Sequence, residues 1–289
     1  MRKNIAYVFV LLLTVACSSK GNREHVTATP EQDDPKIITA GGTITEIVHA
    51  LGHGDAIVAT DRTSTYPSQM QTLPSIGYRN QIQAEGILSL NPDWILVEEH
   101  YLNQDVVTQL QNSGKQVTVL PKPQSEEAAA ALIKEIGGML EEKERAEGLI
   151  EQLTQDLETL RGLKAENDTQ PKVAFIMSRG PEMVFLAGKN TFASAMIALS
   201  GGQPVEVDFE GMKPLTPEAL PALNPDYILM FESGFQASGG KEGLRAIQGI
   251  TETNAWKKDQ FVVMDGHYVS SFGPRLGQAA IELFEKTHP

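Results

Sequence analysis

Glu85-Gly-Ile-Leu-Ser-Leu-Asn-Pro-Asp-Trp-Ile-Leu-Val97 returns later in the chain as Glu218-Ala-Leu-Pro-Ala-Leu-Asn-Pro-Asp-Tyr-Ile-Leu-Met230, at a constant offset of 133 residues. All of Leu-Asn-Pro-Asp is identical, and most of the other positions are conservative exchanges. The interval is too long for a solenoid unit and indicates two similar domains. In each copy the pattern predicts a short helix that ends before Asn-Pro-Asp, where proline blocks its continuation. A buried apolar strand then follows.

Working outward, strands are expected at 36–39, 56–59 and 116–120 in the first half, and at 172–177 and 260–264 in the second. Helical patterns such as 45–51 and 192–199 separate them, so each half reads as a Rossmann-like α/β lobe with a mostly parallel sheet. Between the halves, 125–166 is rich in Ala, Glu, Leu and Lys and contains no proline. This is the strongest helical stretch of the chain. Gly137-Gly138 is expected to split it, leaving one helix over 141–164 of about 35 Å at 1.5 Å per residue. The expected plan is α/β, with an N-terminal lobe at 36–124, a helical segment at 125–170 holding a single long linking helix, and a C-terminal lobe at 171–289. A helix that merely covers one domain is the plainer alternative for 141–164.

Ahead of the first lobe, Met1-Arg2-Lys3-Asn4 and the apolar run from Ile5 to Val15 have the form of an export signal, too short to span a bilayer stably. The run closes on Leu13-Thr-Val-Ala-Cys17, and Cys17 is the only cysteine in 289 residues. An internal disulfide is therefore ruled out, and stability must come from core burial. Residues 1–16 resemble a bacterial lipoprotein signal, which implies lipidation of Cys17; a plain secretory signal cut beyond it is the alternative. Residues 17–35, polar and nearly without large apolar side chains, read as a flexible tether. Cleavage removes Arg2 and Lys3 and takes the formal net charge from −13 to −15. Such acidity disfavours nucleic acid, whose binding needs Lys and Arg against phosphate.

Ligands of parallel α/β sheets lie beyond the carboxyl ends of the strands. There the chain offers Gly41, Gly42 and Thr43, then Glu98, Glu99, His100 and Tyr101, then Arg179, Phe235, His267 and Tyr268. Glycines for close approach, aromatic faces and one arginine suit a flat anionic ligand, and no catalytic constellation is among them. Neither a Gly-x-Ser-x-Gly elbow nor a phosphate-binding loop occurs, which argues against an enzyme.

Two lobes, a linking helix and a lipoprotein leader resemble the substrate-binding proteins of ABC importers for metal chelates, the class serving siderophores, cobalamin and haem. The resemblance spans 36–289. Within it, Ala40-Gly-Gly-Thr-Ile-Thr-Glu-Ile-Val-His-Ala-Leu-Gly52, Thr63-Ser-Thr-Tyr-Pro67, Leu73-Pro-Ser-Ile-Gly-Tyr-Arg79, Ala84-Glu-Gly-Ile-Leu-Ser-Leu90 and Phe272-Gly-Pro-Arg275 with Ala279-Ala280 are similar to the haem-binding subgroup. The resemblance implies haem as transported ligand, with no catalytic cofactor, and Tyr78 as axial ligand of its iron; phenolate is a hard donor suited to ferric iron. Arg179 is the candidate for a propionate, Arg79 would favour loss of the Tyr78 proton, Arg275 is a further pocket candidate, and Met212, in the weak counterpart Gly211-Met-Lys213, is the candidate for the second haem face. It further implies that Glu85 and Glu218 meet the ABC permease, which works with its ATPase subunits, and that the binding protein acts as a monomer held to the membrane by its lipid. N-terminal helix charge is the plainer reading of the two glutamates. Siderophore or cobalamin binding in the same fold is an alternative. A zinc or manganese site built from His100, His267 and Glu98 or Glu99 is a further one.

Overall fold

The computed structural model describes residues 35–180 and 182–289; the leader, Cys17 and the tether up to residue 34 lie outside the described residues. The first lobe comprises β1 Ile37–Ala40, α1 Gly42–Val48, β2 Ile57–Thr60, α2 Ala84–Leu88, β3 Trp94–Glu98, α3 Gln104–Gln111 and β4 Gln116–Leu120. Its four strands run parallel in the order β2-β1-β3-β4. Two helices follow, α4 Glu126–Met139 and α5 Lys143–Ala165. The second lobe comprises β5 Lys172–Ser178, β6 Val184–Ala187, α6 Phe192–Leu199, β7 Gln203–Pro204, β8 Met212–Pro214, α7 Ala219–Leu223, β9 Tyr227–Phe231, α8 Glu232–Ala237, α9 Gly240–Leu244, α10 Asn254–Lys257, β10 Phe261–Met264, α11 Gly266–Ser270 and α12 Leu276–Thr287. Its sheet has the order β10-β9-β5-β6-β8, with β7 beside β5, and is parallel except at β6 and β8.

The repeated Leu-Asn-Pro-Asp does the same work in both lobes. Asn91 and Asn224 close the short helices with φ of 46° and 41°, in the left-handed region that asparagine tolerates. The next residue is proline, so the helix cannot resume. The aspartate then clamps the lobe's first strand. Asp93 Oδ2 accepts from the Lys36 amide at 2.9 Å, and Asp226 Oδ2 accepts from the Lys172 amide at 3.0 Å. In return the Asp93 and Asp226 amides donate to the Lys36 and Lys172 carbonyls at 2.9 and 2.8 Å. These paired bonds fix the register of β1 against β3 and of β5 against β9.

The linking helix is present as α5, 23 residues long. The break before it is not at Gly137-Gly138, which both lie inside α4. It falls at Leu140 to Glu142, where Glu141 takes φ 62°. Gly137 serves packing instead, since a Cβ there would stand 2.4 Å from that of Ala146. Removing the side chain lets α4 and α5 lie against each other. On its other side α5 packs against α12, where Gly277 clears Asp156 in the same way. The apolar core around α5 draws on both lobes, from Ile44 and Leu96 to Phe175 and Leu229.

Candidate functional site

Tyr78 stands in a loop that the backbone ties to the end of β2. The Thr60 amide donates to the Pro74 carbonyl at 3.2 Å, Ile76 to Thr60 at 2.9 Å and Arg62 to Gly77 at 2.9 Å. Gly77 turns the chain with φ 114°, a conformation that favours glycine, and Tyr78 emerges half-buried. From the second lobe Arg179, exposed just beyond β5, donates through Nη2 to the Tyr78 hydroxyl at 3.4 Å. Residues 101 positions apart thus meet between the lobes, and Arg79 flanks the same tyrosine. The guanidinium of Arg79 lies 5.0 Å from the centre of the Tyr101 ring.

Tyr101 itself lies beneath this site rather than facing it. It is 3% exposed. Its hydroxyl is held by the Asp61 carboxylate and by Thr63 Oγ1 at 2.7 Å. Burial, reinforced by the Asp61 charge, pushes its phenol far above the usual range, so it stays protonated. Asp61 was not singled out from the sequence. It also accepts from the Gly41 amide at 2.9 Å, the Thr63 amide at 2.7 Å and Ser64 Oγ at 2.6 Å, which sets the turn after β2.

The glycines expected to admit a ligand admit protein groups instead. A Cβ on Gly41 would lie 2.7 Å from that of Glu98, and one on Gly42 would lie 2.5 Å from the His267 ring. Gly41, Gly42 and Thr43 are all buried. Gly42 and Thr43 form part of an interlobe contact whose centre is Glu46, 2% exposed on α1, whereas Gly41 is closed off by Glu98 of its own lobe. Arg275 donates to it through Nε at 2.8 Å and Nη2 at 2.9 Å, and His267 Nε2 approaches it at 2.9 Å. Facing a carboxylate, that imidazole nitrogen is the donor. Burial raises the Glu46 pKa, but the hydrogen bonds and charges of His267 and Arg275 outweigh it and hold the carboxyl below its ordinary range. The Arg275 guanidinium also sits 3.3 Å from the ring centre of Tyr66 and 4.9 Å from that of Tyr268. Arg275 and Tyr268 therefore take part in this contact. Burial, with the nearby Glu282 charge, pushes the Tyr268 phenol up to about 12.

The remaining residues named from the sequence are dispersed. The His100 side chain is 89% exposed and 3.5 Å from Glu99, whereas buried Glu98 pairs with Lys122 at 3.1 Å. His100 and His267 do not converge, and among the described residues no group of three or more His, Cys, Asp or Glu side chains could hold a metal ion. Met212, on β8, and Phe235, on α8, are half-buried; Met212 packs on the core around α5 and Phe235 on a second-lobe core. Glu85 is exposed in the first turn of α2, and Glu218 is exposed at the N-terminal cap of α7. Glu46 lay within the quoted Ala40–Gly52 stretch; its signal was an acid set among Ile44, Ile47 and Val48 on an apolar helix.

A periplasmic haem-binding protein from Roseiflexus sp. RS-1, solved in its apo form, is 33% identical, with a TM-score of 0.84 over 88% of this chain and 98% of that one. An ABC transporter substrate-binding lipoprotein of Bacillus subtilis is 28% identical over 90% of this chain and 82% of its own length. A vitamin B12-binding protein of Yersinia pestis is 29% identical over 62% of each chain. The family described as periplasmic binding protein matches residues 37–268. With two α/β lobes joined along one helix and nearly the whole described chain matched, the protein belongs to the periplasmic binding protein family.

Proposed function

We propose that the protein captures ferric haem between its lobes and delivers it to the permease of an ABC importer, with Tyr78 as the iron's axial ligand. The meeting of the Tyr78 hydroxyl with Arg179 across the lobes carries this reading. Iron ligation requires the phenol to give up its proton, and the ferric ion drives that loss. Arg79 on the first lobe and Arg179 on the second supply positive charge beside the anionic oxygen and donors for the propionates. The protein works by binding and release, not by catalysis. The 33% identical haem-binding relative is spanned almost in full, whereas the B12-binding relative aligns over 62%, which favours haem over cobalamin. Titration with hemin and with cyanocobalamin separates the two, since only the true ligand will show a saturable spectral change.

Tyr78→Phe keeps the ring and deletes the oxygen, so it tests the ligand directly. The ferric complex will lose its tyrosinate charge-transfer features. Affinity will fall about a hundredfold, because even groups that only orient a metal ligand are worth roughly 10–100-fold. Burial of the porphyrin and the propionate contacts will leave residual binding. An unchanged ferric spectrum in this variant refutes Tyr78 as ligand.

The same reading gives Cys17 a diacylglycerol anchor in an exported protein. Among the described residues no helix is long and apolar enough to cross a membrane. In this reading membrane attachment rests on the lipid, and Cys17→Ser will move the protein from the detergent phase to the aqueous phase or block processing. Glu85 and Glu218, exposed at equivalent places of the internal repeat, are proposed to dock on the permease.

A further inference from the structure

We infer that Tyr101 is a positioning residue for the haem site, its ring face being the seat that holds the Arg79 guanidinium beside Tyr78. The inference rests on the haem reading of that site and adds to it a residue that does not touch the ligand. Arg79 has a left-handed backbone, φ 42°, and among the described residues its side chain makes no ion pair or side-chain hydrogen bond. What meets it is the Tyr101 face, 5.0 Å from Cζ to the ring centre. A guanidinium over an aromatic face is held by the ring quadrupole and keeps its N–H donors free. That arrangement suits a side chain that must present those donors to an incoming anion.

The seat is rigid at both ends. The Tyr101 ring packs in the first-lobe core with Ala40, Ile82 and Ala84, and its hydroxyl is fixed by Asp61 and Thr63. The Tyr78 loop is tied to the same turn, through Arg62 to Gly77 and Ile76 to Thr60. Ring, turn and loop therefore form one body, and Arg79 is aimed by the Tyr101 ring rather than by its own flexible stem.

A double-substitution cycle with hemin as probe tests this. Tyr101→Leu, which removes the face, will weaken binding about tenfold and displace the tyrosinate charge-transfer band. Arg79→Ala will do the same, and the double variant will bind no more weakly than Arg79→Ala alone. Losses that multiply in the double variant, or wild-type binding by Tyr101→Leu, overturn the seat. Tyr101→Phe keeps the ring volume and the face, so it decides the matter even where leucine fails to fold. Binding within about threefold of wild type supports the seat, and a tenfold loss overturns it. Loss of global stability alone would not spare the phenylalanine variant's spectrum or couple to Arg79. If the wild-type complex lacks a band that depends on Tyr78, the haem reading and the seat fail together; if the band is present and the substitutions do not couple, the seat alone fails.

Discussion

Replacing Glu46 with alanine will lower the thermal midpoint of the protein by about 10 °C. Three donor atoms, Arg275 Nε and Nη2 and His267 Nε2, lie within 2.9 Å of its carboxylate. Removing the acceptor leaves two basic groups at a largely dry lobe contact with nothing to receive their protons. Breaking a buried pair in this way costs about 3–5 kcal/mol. For a chain of this size each kcal/mol corresponds to roughly 2–4 °C. Acid dependence gives a second check. The folded carboxyl titrates below its ordinary range, so its contribution is present above the unfolded carboxylate pKa of about 4.3 and is lost as pH falls through the lower, folded value. Melts followed by circular dichroism will therefore show a wide gap between wild type and Glu46→Ala near neutrality that narrows below about pH 4. A gap under 3 °C at pH 7, or one that widens with acid, contradicts this account of the contact.

Cells in which Glu85→Ala and Glu218→Ala are combined will take up haem no faster than cells without the protein, while the purified variant binds hemin as wild type does. Both side chains are exposed, and each marks the start of a short helix in the internal repeat. Against helix dipoles such charges are worth only about 0.3–1 kcal/mol, so folding will survive their loss. In the docking role proposed for them they meet cationic side chains of the permease, where opposed charges steer association and fix orientation. Each single substitution will leave partial uptake, and Glu85→Lys will act more strongly than Glu85→Ala by adding repulsion. Normal uptake by the double variant would mean that the glutamates serve their helices alone.

The strands other than β6, β7 and β8, and the long helix, were legible because they depend on local properties, namely apolar runs, helix formers without proline, and the Asn-Pro-Asp stop. The repeat was legible for a stronger reason: Asn91, Pro92 and Asp93 each do a separate mechanical job, and all three jobs recur at 224–226. The loop carrying Tyr78 could be placed from its motif, and its partner Arg179 from its position after a strand. What the sequence concealed was which groups face each other across the lobes. Gly42 looked like room for a ligand, but the group that fills the space is His267, 225 positions downstream. Arg275 looked like a haem-pocket residue, but its acceptor is 229 positions away on α1. Such pairings follow from the relative placement of two lobes, on which local periodicity carries no information. The helix break missed Gly137-Gly138 for a related reason, since a glycine chosen to let helices touch reads the same as one chosen to end them.

The 23-residue helix and the Glu46 contact also decide what kind of biosensor this protein could become. Dyes placed on opposite lobes would report little, because the distance between them is set by a continuous α5 and by groups that clasp the lobes directly. Optical quenching does not need such movement. Trp94 lies on β3 of one lobe and Trp256 on α10 of the other, and haem absorbs where indole emits. Intrinsic fluorescence will therefore fall as the cleft fills, and a label-free assay of capture follows from the two tryptophans.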